Sequence, residues 1–500
     1  MDLSLKIKKE EYWWGGAVAD GYRMPLSAES DYYLDARVNK TYNQFNGVFL
    51  SSAGRYIVFE GGAEICVKNG YIKIINSKSR IFSGDTGGSL KSAQKFVSAE
   101  FFKKTDKFFD FEYLTEPQYC TWLETLTNVN AVDLEKYAAG IRKCGLDGKV
   151  LIIDDGWAKD YGDWTFDEKK FPAPRETVKK LKDMGFDVVL WLVPFVNAGC
   201  PDYGYLRDSD AFVKNPDGTI HIAEWWNGSS AVLDMSSSAA VKWIKNVLDR
   251  LVEEYGVSGF KLDAGDAMYY PQGGNVSANE QSALWAKLGA EYSYAELRAC
   301  VGLGGYPVAQ RLSDKSVGWE NGMKLLIPNI IQAGLLGYYY CCGDMVGGGN
   351  CADFEKLKSE EAEFYIRSCQ CAALFPIVQF SYSIWNKSEF LKEMVKNICF
   401  LRAEFKDYMK TAAGKAITDG EPVVRCLEYE FPEEGFWNET QCFMLGDRYL
   451  VAPVVNKGEV RKTVKLPRGI KWRYVYDGKL YENRAEIDCP VSVLPIFERL

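Results

Sequence analysis

The stretch GFKLDAGD at residues 259–266 joins an apolar, strand-like run to two acidic residues at its carboxyl end. A segment with apolar residues three and four apart precedes it at 239–255, and a second such segment follows at 280–292. Strand and helix patterns therefore alternate on both sides of the acidic residues. This alternation is typical of parallel strands joined by crossover helices.

The same alternation extends over the middle of the chain. Eight segments rich in apolar and β-branched residues read as strands, and most are followed by a helix-period segment. They lie at 118–124, 149–155, 187–196, 259–263, 294–300, 307–314, 338–344 and 376–381. Eight such units predict an α/β fold with a (β/α)₈ TIM barrel.

Two β-rich regions flank the predicted barrel. The first contains short strands punctuated by Gly and Asn, which predicts an N-terminal β-sandwich at 1–115. Strands dominate again towards the end of the chain and predict a small C-terminal β-sandwich domain at 411–500. We therefore expect three domains, with the barrel at 116–410.

The composition argues against several partners. Sixty Lys and Arg against 68 Asp and Glu give a net charge of -8, so we expect no nucleic acid and no anionic membrane surface as partner. No apolar run approaches the roughly 18 residues that span a bilayer. Fourteen Cys in 500 residues are too few for a disulfide framework, so we expect reduced thiols and a cytoplasmic location. The sequence leaves the oligomeric state open.

The sequence contains a single histidine, His221, which argues against catalytic and metal sites built from several histidines or from a histidine in a fixed place. Ser-His-Asp hydrolysis and His-rich metal sites both need imidazoles in defined places. Cys369 and Cys371 have a near-metal spacing, but no second pair elsewhere completes a zinc site. We therefore expect no metal and no cofactor, and carboxylates become the favoured catalysts.

Acidic residues end at least four of the predicted strands. They are Asp154 and Asp155 after the second strand, Asp263 and Asp266 after the fourth, Asp314 after the sixth and Asp344 after the seventh. Taken singly, such a residue is as readily a helix cap or a turn residue, as we interpret Asp163 and Asp234. Together they predict a ring of carboxylates at the barrel mouth, where the active site of this fold lies.

A ring of this kind serves either to hold a divalent metal through oxygen ligands or to cleave a glycosidic bond with two carboxyl groups. Aromatic residues make up 14% of the chain and supply faces on which sugar rings stack. Because His ligands and a phosphate-binding loop are both missing from the sequence, we favour the carboxylate pair.

Several ordered motifs resemble glycoside hydrolase family 31, a family of retaining α-glycosidases. The matching stretches are WWGG at 13–16, LWLVPFVN at 190–197, WWNGSSAVLD at 225–234, GFKLDAGD at 259–266, GLLG at 334–337, GDMVGG at 343–348, VAPV at 451–454 and LPRG at 466–469. The resemblance covers essentially the full chain and implies an enzyme that acts on a small carbohydrate substrate, an α-glycoside.

The resemblance assigns the two catalytic roles. It places the nucleophile on Asp263 and the acid/base on Asp314, within QRLSDK at 310–315. A retaining mechanism needs two carboxyl groups about 5 to 5.5 Å apart, one ionised and one protonated. Strands four and six of one barrel present such a pair across the mouth. Arg311, in the same stretch as the acid/base, is counted among the expected substrate-binding residues.

Further contacts with the sugar follow from the resemblance. It implies that Arg298 binds the sugar and that Asp154 or Asp155 grips hydroxyls remote from the bond being broken. Strand alternation lets only one of those two aspartates face the pocket. The same alternation places Lys261 on the side of Asp263, where it keeps that carboxylate ionised and contacts a hydroxyl, or merely neutralises barrel carboxylates.

Three more residues have two interpretations each. Trp191 and Trp226 are either walls for a sugar ring or core residues. Asp344 is either a ligand contact or a support for residues that touch the ligand.

Two stretches depart from the α-glucosidases of the family. Many of those enzymes have Met-Asn-Glu after the nucleophile and Arg-Asn-His after the eighth strand, where this chain has AGD at 264–266 and QFS at 379–381. The differences resemble the subgroup of the myogenesis-regulating glycosidase and bacterial relatives, in which α-galactosidase activity is known. We expect exo-acting hydrolysis of a terminal α-galactoside. Activity on α-glucosides, α-xylosides or sulfoquinovosides, a lyase or transglycosylase outcome, and a catalytically silent sugar-binding protein remain alternatives.

Overall fold

The computed structural model describes residues 2–37, 43–102, 110–359 and 362–500. Its centre is a closed barrel of eight parallel strands, which confirms the predicted (β/α)₈ fold. The strands are β1 (Gln118–Cys120), β2 (Val150–Ile153), β3 (Asp187–Leu192), β4 (Gly259–Leu262), β5 (Tyr294–Leu297), β6 (Ala309–Arg311), β7 (Cys341–Met345) and β8 (Ile377–Phe380). They follow one another in sequence order, and β8 closes the barrel on β1.

Each strand overlaps the segment predicted for it, but most are shorter. Strands β2 and β4 end directly before Asp154 and Asp263, and β6 ends at Arg311, before Asp314. These aspartates therefore lie in the loops at the carboxyl ends of the strands. Because strand geometry stops before them, the alternation of side chains along a strand does not decide where they point.

Several outer helices are amphipathic, as their sequence period predicts, whereas Lys324–Leu335 and Ala362–Ala372 are buried over most of their length. Helix Ser238–Tyr255 buries residues at helical spacing, including Ile244, Leu248 and Leu251. It ends at Gly256, whose φ of 71° is the left-handed conformation that favours glycine at a helix end. The other barrel helices are Ala131–Lys143, Pro174–Asp183, Ala278–Gly289, Lys324–Leu335, Ala362–Ala372 and Glu389–Glu404.

The N-terminal region forms two sheets. One is antiparallel, with the strand order Leu3–Lys6, Tyr71–Ile75, Glu64–Lys68 and Tyr32–Asp35. The other has the order Cys300–Val301, Gln44–Ser51, Arg55–Phe59 and Ile81–Asp85, and Trp13–Ala17 also pairs with Gln44–Ser51. Helices Leu90–Phe101 and Phe111–Thr115 lie between these strands and the barrel in sequence.

The fifth predicted strand is divided in two. Its first half is β5 of the barrel, but Cys300–Val301 leaves the barrel and pairs with Gln44 and Phe45 of the N-terminal sheet. Arg298 lies between the halves, and its backbone oxygen accepts hydrogen bonds from the Gln44 and Asn43 side chains at 2.8 and 3.0 Å. The N-terminal sheet therefore takes its edge strand from the loop after β5.

The C-terminal region is a small β-domain with its own core, as predicted. Its six-stranded sheet has the order Val424–Arg425, Phe443–Leu445, Tyr449–Val451, Ile496–Arg499, Trp472–Tyr474 and Leu480–Tyr481. A second sheet pairs Arg461–Lys465 with Arg484–Asp488. Helix Lys406–Asp419 precedes the domain, and Met444, Leu450 and Trp472 are fully buried in its core.

Two hairpins extend the barrel at the loops after β2 and β3. The first pairs Ala158–Asp160 with Asp163–Phe166, and the second pairs Ile222–Trp225 with Gly228–Val232. Each has a tip of two residues, 161–162 in the first and 226–227 in the second. Within the described part of the chain, no helix has the length and apolar character needed to cross a membrane.

Candidate active site

A cavity of about 350 Å³ lies at the carboxyl ends of the barrel strands. Nine of the ten predicted site residues line it, namely Asp154, Asp155, Trp191, Trp226, Lys261, Asp263, Arg298, Arg311 and Asp314. The tenth, Asp344, contacts backbone behind this lining. The parallel strands thus bring together side chains that are far apart in sequence.

Asp263 is buried at the end of β4, and two donors fix its carboxylate. The Trp191 indole donates to Oδ2 at 2.8 Å, and the backbone N–H of Ala264 donates to Oδ1 at 2.8 Å. Burial alone raises the pKa of Asp263, but the cations of Arg298 and Lys261 outweigh it, so the pKa lies below its usual value. Asp263 is therefore a fixed, ionised carboxylate.

The backbone directly after Asp263 makes a tight turn. Ala264 has a φ of 50°, a left-handed conformation that is uncommon outside glycine, and Gly265 follows with a φ of 69°. A Cβ atom on Gly265 would lie 2.5 Å from Cδ1 of Trp285, whose indole donates to the Asp263 carbonyl. The small Ala-Gly pair, one of the departures from the α-glucosidases, therefore fits a turn packed against Trp285.

Asp314 has different surroundings from Asp263. Its side chain is 34% exposed, and the Arg311 guanidinium donates to its Oδ1. Burial raises the pKa of Asp314, but the charges of Arg311 and Arg298 outweigh this effect and lower it. The same guanidinium also lies 3.5 Å from the Asp344 carboxylate. The contact with Arg311 thus favours the carboxylate form of Asp314.

Arg298 lies between two carboxylates without bonding fully to either. Its Nη1 is 3.8 Å from Asp263 Oδ1, and its Nε is 3.6 Å from Asp266 Oδ2, which are longer than hydrogen bonds. The Trp226 ring lies over the guanidinium, at 5.1 Å from its centroid. Asp266 is fully buried, and its Oδ1 accepts the backbone N–H of Asn43 at 3.0 Å. Arg298 is therefore held by charge and by stacking.

Lys261 and Asp154 form a buried ion pair in the cavity wall. The lysine Nζ lies 2.6 Å from Asp154 Oδ2, and the Cys120 thiol donates to the same oxygen at 3.0 Å. Burial lowers the pKa of Lys261, but the Asp154 charge outweighs it, and the pKa is raised. Lys261 thus neutralises a barrel carboxylate and also lines the cavity, and its contact with a sugar hydroxyl stays a prediction.

Asp155 accepts hydrogen bonds from both hairpin tips. The Tyr161 hydroxyl lies 3.2 and 3.1 Å from its two oxygens, and Asn227 Nδ2 lies 2.8 Å from Oδ2. Burial and the Asp154 charge raise the pKa of Asp155 to about 7, although both bonds act to lower it. The expectation that only one of the adjacent aspartates faces the pocket is wrong, because both lie beyond the end of β2 and both line the cavity.

The two predicted tryptophan walls differ in exposure. Trp191 is 1% exposed and contributes its N–H to Asp263. Trp226 is 41% exposed and offers a ring face at the cavity. Of these two tryptophans, Trp226 is therefore the one with a ring face open to a sugar.

Asp344 supports the loops after β6 and β7. Its carboxylate accepts the backbone N–H groups of Lys315, Met345 and Gly349 at 2.7, 2.7 and 2.8 Å. A Cβ atom on Gly349 would lie 2.5 Å from Asp344 Oδ1 and 2.9 Å from Asp314 Oδ1, so this close approach requires glycine. Of its two interpretations, these contacts favour the supporting one.

Five more residues, which the sequence did not predict, line the cavity. They are Trp122, Asn227, Gly349, Asn350 and Cys351. Trp122 lies two residues beyond the end of β1, and Asn227 precedes Gly228 in the motif WWNGSSAVLD at 225–234. The position of Trp122 at a strand end and that of Asn227 at a turn are the sequence signals that could have indicated them. Within the described residues, no group of three or more His, Cys, Asp and Glu side chains is arranged to hold a metal ion.

The stretch after the eighth strand, the second departure from the α-glucosidases, contacts other parts of the barrel. Gln379 donates to Glu296 Oε2 at 2.6 Å, and the Ser381 hydroxyl accepts the backbone N–H of Leu123 at 2.7 Å. Neither side chain is among the described residues that line the cavity.

A TIM barrel with two aspartates at the ends of β4 and β6, in one cavity with cations and an exposed aromatic ring, has the architecture of a glycoside hydrolase. The model of the glycosyl hydrolases family 31 TIM-barrel domain matches residues 117–412, and that of the family 31 C-terminal domain matches 420–499. The chain belongs to glycoside hydrolase family 31.

Individual relatives show the range of the family. The chain is 31% identical over 424 residues to the myogenesis-regulating glycosidase of Mus musculus, covering 81% of this chain and 59% of that protein. It is 24% identical over 402 residues to a sulfoquinovosidase of Agrobacterium fabrum, covering 73% and 60%. The chain thus spans about three-fifths of the length of these two relatives.

Among solved structures, the fold matches that of the family 31 dextranase of Flavobacterium johnsoniae, which was solved in complex with glucose. The TM-score is 0.85 at 20% identity, and the match covers 100% of this chain and 66% of the dextranase. At this identity, the match supports the fold alone.

Proposed function

We propose that the chain is a retaining, exo-acting α-glycosidase with Asp263 as nucleophile and Asp314 as acid/base. The observation that carries the proposal is that both aspartates line one cavity, in surroundings that suit two different roles. A nucleophile must be ionised and fixed in place, as the donors Trp191 and Ala264 keep Asp263. An acid/base must exchange its proton with solvent, and Asp314 is the more exposed of the pair.

The first step forms a glycosyl ester. An Asp263 oxygen attacks the anomeric carbon while the bond from that carbon to the leaving oxygen breaks, and Asp314 gives its proton to that oxygen. Protonated Asp314 lacks the charge that pairs with Arg311, so the contact between them loosens before this step. The product is a β-linked ester on Asp263.

The second step hydrolyses the ester. Asp314 accepts a proton from water, the water oxygen bonds to the anomeric carbon, and the Asp263 carboxylate leaves. Two inversions at one carbon give an α-configured product, and both aspartates return to their starting forms.

The charges of the cavity support a neutral sugar in it. Each cation of the described lining lies within 4 Å of a carboxylate: Lys261 beside Asp154, Arg298 beside Asp263 and Arg311 beside Asp314. The four aspartates of the same lining outnumber these three cations, so a carboxylate or sulfonate on the sugar would meet an excess of negative charge. A neutral hexose therefore fits the cavity better than a uronic acid or a sulfonated sugar does.

Within the neutral hexoses we propose an α-galactoside. The support is the Ala-Gly-acidic stretch at 264–266, which resembles the subgroup with known α-galactosidase activity. The similarity to the myogenesis-regulating glycosidase points to the same subgroup. We also propose a cytoplasmic location, which the 14 free cysteines support.

The proposal is tested by initial rates on 4-nitrophenyl α-galactoside, α-glucoside, α-xyloside and α-sulfoquinovoside. We expect the wild type to hydrolyse the α-galactoside best and to leave the sulfoquinovoside intact, and Asp263→Asn to abolish turnover. Asp314→Asn should slow substrates with poor leaving groups by about 10²- to 10⁴-fold, with azide rescuing activated aryl glycosides as azide adducts. Proton NMR of the first sugar released should show the α-anomer.

Asp163→Asn is the matched control, because this aspartate sits in a hairpin strand and bonds to Thr165 outside the cavity. It should keep wild-type rates. Activity on α-glucoside or α-xyloside alone would keep the mechanism and discard the galactoside. Full activity in Asp263→Asn would refute the assignment of the nucleophile, and a wild type silent on all substrates would favour the sugar-binding alternative.

A further inference from the structure

Two hairpin tips from different barrel loops meet at one carboxylate. Tyr161 stands at the tip of the hairpin after β2, and Asn227 stands at the tip of the hairpin after β3. Asn227 Nδ2 lies 2.8 Å from Asp155 Oδ2 and 2.7 Å from the Tyr161 hydroxyl, which itself lies 3.1 Å from the same carboxylate oxygen. The three groups thus form a closed triangle of polar contacts.

The surrounding packing fixes the first tip in place. Gly162 has a φ of 97°, and a Cβ atom there would lie 2.7 Å from Val196 Cγ1, so the turn packs closely against the strand beside it. The Tyr161 ring meets the Trp225 ring edge-on, with centroids 4.7 Å apart. The backbone N–H of Asn197 donates to the Tyr161 carbonyl at 2.9 Å. The Tyr161 hydroxyl therefore has a defined position.

The second tip joins two sides of the cavity. Asn227 bonds to Asp155 after β2, while its neighbour Trp226 lies over Arg298 after β5. All four residues line the cavity. A turn of two residues thus connects Arg298, which by the family resemblance binds the sugar, with Asp155, one of the two aspartates to which the resemblance gives a hydroxyl contact.

We propose that Tyr161 and Asn227 are positioning residues that orient the Asp155 carboxylate as the acceptor for a hydroxyl of the bound sugar. The inference rests on the proposed function in taking a neutral sugar as the ligand. A carboxylate has about four lone-pair positions, and the two tips leave some of them to a ligand donor. A sugar without a hydroxyl at that place leaves a buried acceptor unpaired, which is how such sites discriminate between sugars.

The pKa of Asp155 connects this role to a measurable quantity, the pH dependence of sugar binding. Burial, Asp154 and Asp263 raise its pKa to about 7, whereas Tyr161 and Asn227 act to lower it. If the ionised form binds the sugar, affinity falls as the pH drops through this pKa. Removing either donor raises the pKa further, so the midpoint of the loss moves to higher pH.

The experiment measures binding directly, by quenching of tryptophan fluorescence on titration with D-galactose, D-glucose and D-xylose at a series of pH values. Tyr161→Phe and Asn227→Ala should each weaken binding of the preferred sugar about tenfold and move the midpoint to higher pH. The double variant should lose less than the product of the single losses, because both donors act on one carboxylate.

Ser229→Ala is the matched control on the second hairpin. Its hydroxyl donates to Glu224 at 2.6 Å, so the variant perturbs the hairpin and leaves the donors to Asp155 in place. It should keep the wild-type affinity and midpoint.

The outcomes separate this inference from the proposed function. Shifted midpoints in the two tip variants, in a protein that binds sugar but hydrolyses none, would support the positioning role and remove the catalytic proposal. Unshifted midpoints would overturn the positioning role, even if affinity falls. A wild type that binds none of the three sugars would overturn both.

Discussion

The two catalytic aspartates we propose are distinguished by their immediate neighbours. Asp263 is 8% exposed at its side chain and bonds to two neutral donors, whereas Asp314 is 34% exposed and contacts the Arg311 guanidinium. Cations lower both pKa values against the effect of burial. In the proposed reaction Asp263 attacks in its ionised form, which these contacts favour, whereas Asp314 must gain a proton before it can act as the acid.

Removing the Arg311 charge should therefore change the pH profile in one direction. Arg311 lowers the pKa of Asp314, so Arg311→Gln raises it and keeps the acid protonated to higher pH. We expect the alkaline limb of kcat/KM on the preferred glycoside to move to higher pH. The pKa read from this limb is an apparent value that belongs to the two interacting aspartates together.

Arg473→Gln provides the comparison, since Arg473 is 48% exposed and pairs with Glu498 in the C-terminal domain. It should leave both limbs in place. Because Arg311 also lies near Asp344 and Glu296, a thermal melt must show that the Arg311 variant is folded. An alkaline limb that stays fixed or moves to lower pH would contradict the assignment of Asp314.

At the scale of elements, hydrophobic patterning was enough to predict all eight barrel strands. The strands are mostly apolar because helices cover their outer face and strand side chains pack inside the barrel, and this leaves a strong signal in the sequence. The positions of Tyr161 and Asn227 left no such signal, because hairpin tips are polar turns whose placement depends on contacts with other loops. The nucleophile and acid/base were placed through the family motifs, while the contacts of Asp155 needed the folded structure.

The split of the fifth strand has a similar cause. The sequence predicts one strand at 294–300, but the strand breaks at Arg298, and Cys300–Val301 pairs with Gln44 and Phe45 instead of with the barrel. Pairing partners distant in sequence leave no local pattern. The domain bounds of 1–115, 116–410 and 411–500 stay predictions.

A buried arginine in the last barrel helix connects separate segments of the chain. Arg402, in helix Glu389–Glu404, is 1% exposed and joins its helix to two other segments, at 114–115 and 373–376, through their backbone oxygens. It donates to the carbonyls of Leu114, Thr115, Ala373, Phe375 and Pro376. Burial lowers the pKa of Arg402 to about 10, so the side chain remains a cation at neutral pH.

Replacing this arginine should loosen the barrel. Arg402→Met leaves several buried carbonyls without their donor, and we expect the melting temperature to fall by about 5 °C or more. Arg448→Met is the comparison, because Arg448 is 52% exposed and forms an ion pair with Glu498 on the surface. This variant should change the melting temperature by about 1 °C. Equal shifts in a calorimetric scan would show that Arg402 does not join these pieces.

At the scale of the whole molecule, the N-terminal sheet reaches the active site. The backbone N–H of Asn43 bonds to Asp266, and the Asn43 and Gln44 side chains bond to the Arg298 carbonyl. Arg298 in turn lies 3.8 Å from the Asp263 carboxylate. The position of Arg298, beside the nucleophile that we propose, thus depends on the N-terminal sheet as well as on the barrel.

Asp266→Asn tests this connection with little change of shape. The amide keeps an oxygen for the Asn43 N–H but removes the charge near Arg298, so Arg298 pairs more fully with Asp263 and restrains the nucleophile. We expect kcat/KM to fall about tenfold with an unchanged melting temperature. Asn43→Gly, which loses only the side-chain bond to Arg298, should cost less activity. Wild-type kcat/KM in Asp266→Asn would show that the charge of Asp266 has no part in placing Arg298.

The pairing of Cys300–Val301 with Gln44 and Phe45 also sets an order of assembly during protein synthesis. The Gln44 side chain meets its partner Arg298 across 254 residues of chain, which a ribosome takes more than about ten seconds to add. Until then, the side of Gln44 and Phe45 that pairs with Cys300–Val301 is an open strand edge, of the kind on which nascent chains aggregate. The loop after β5 covers that edge and carries Arg298, so covering the edge and placing Arg298 at the pocket are one event.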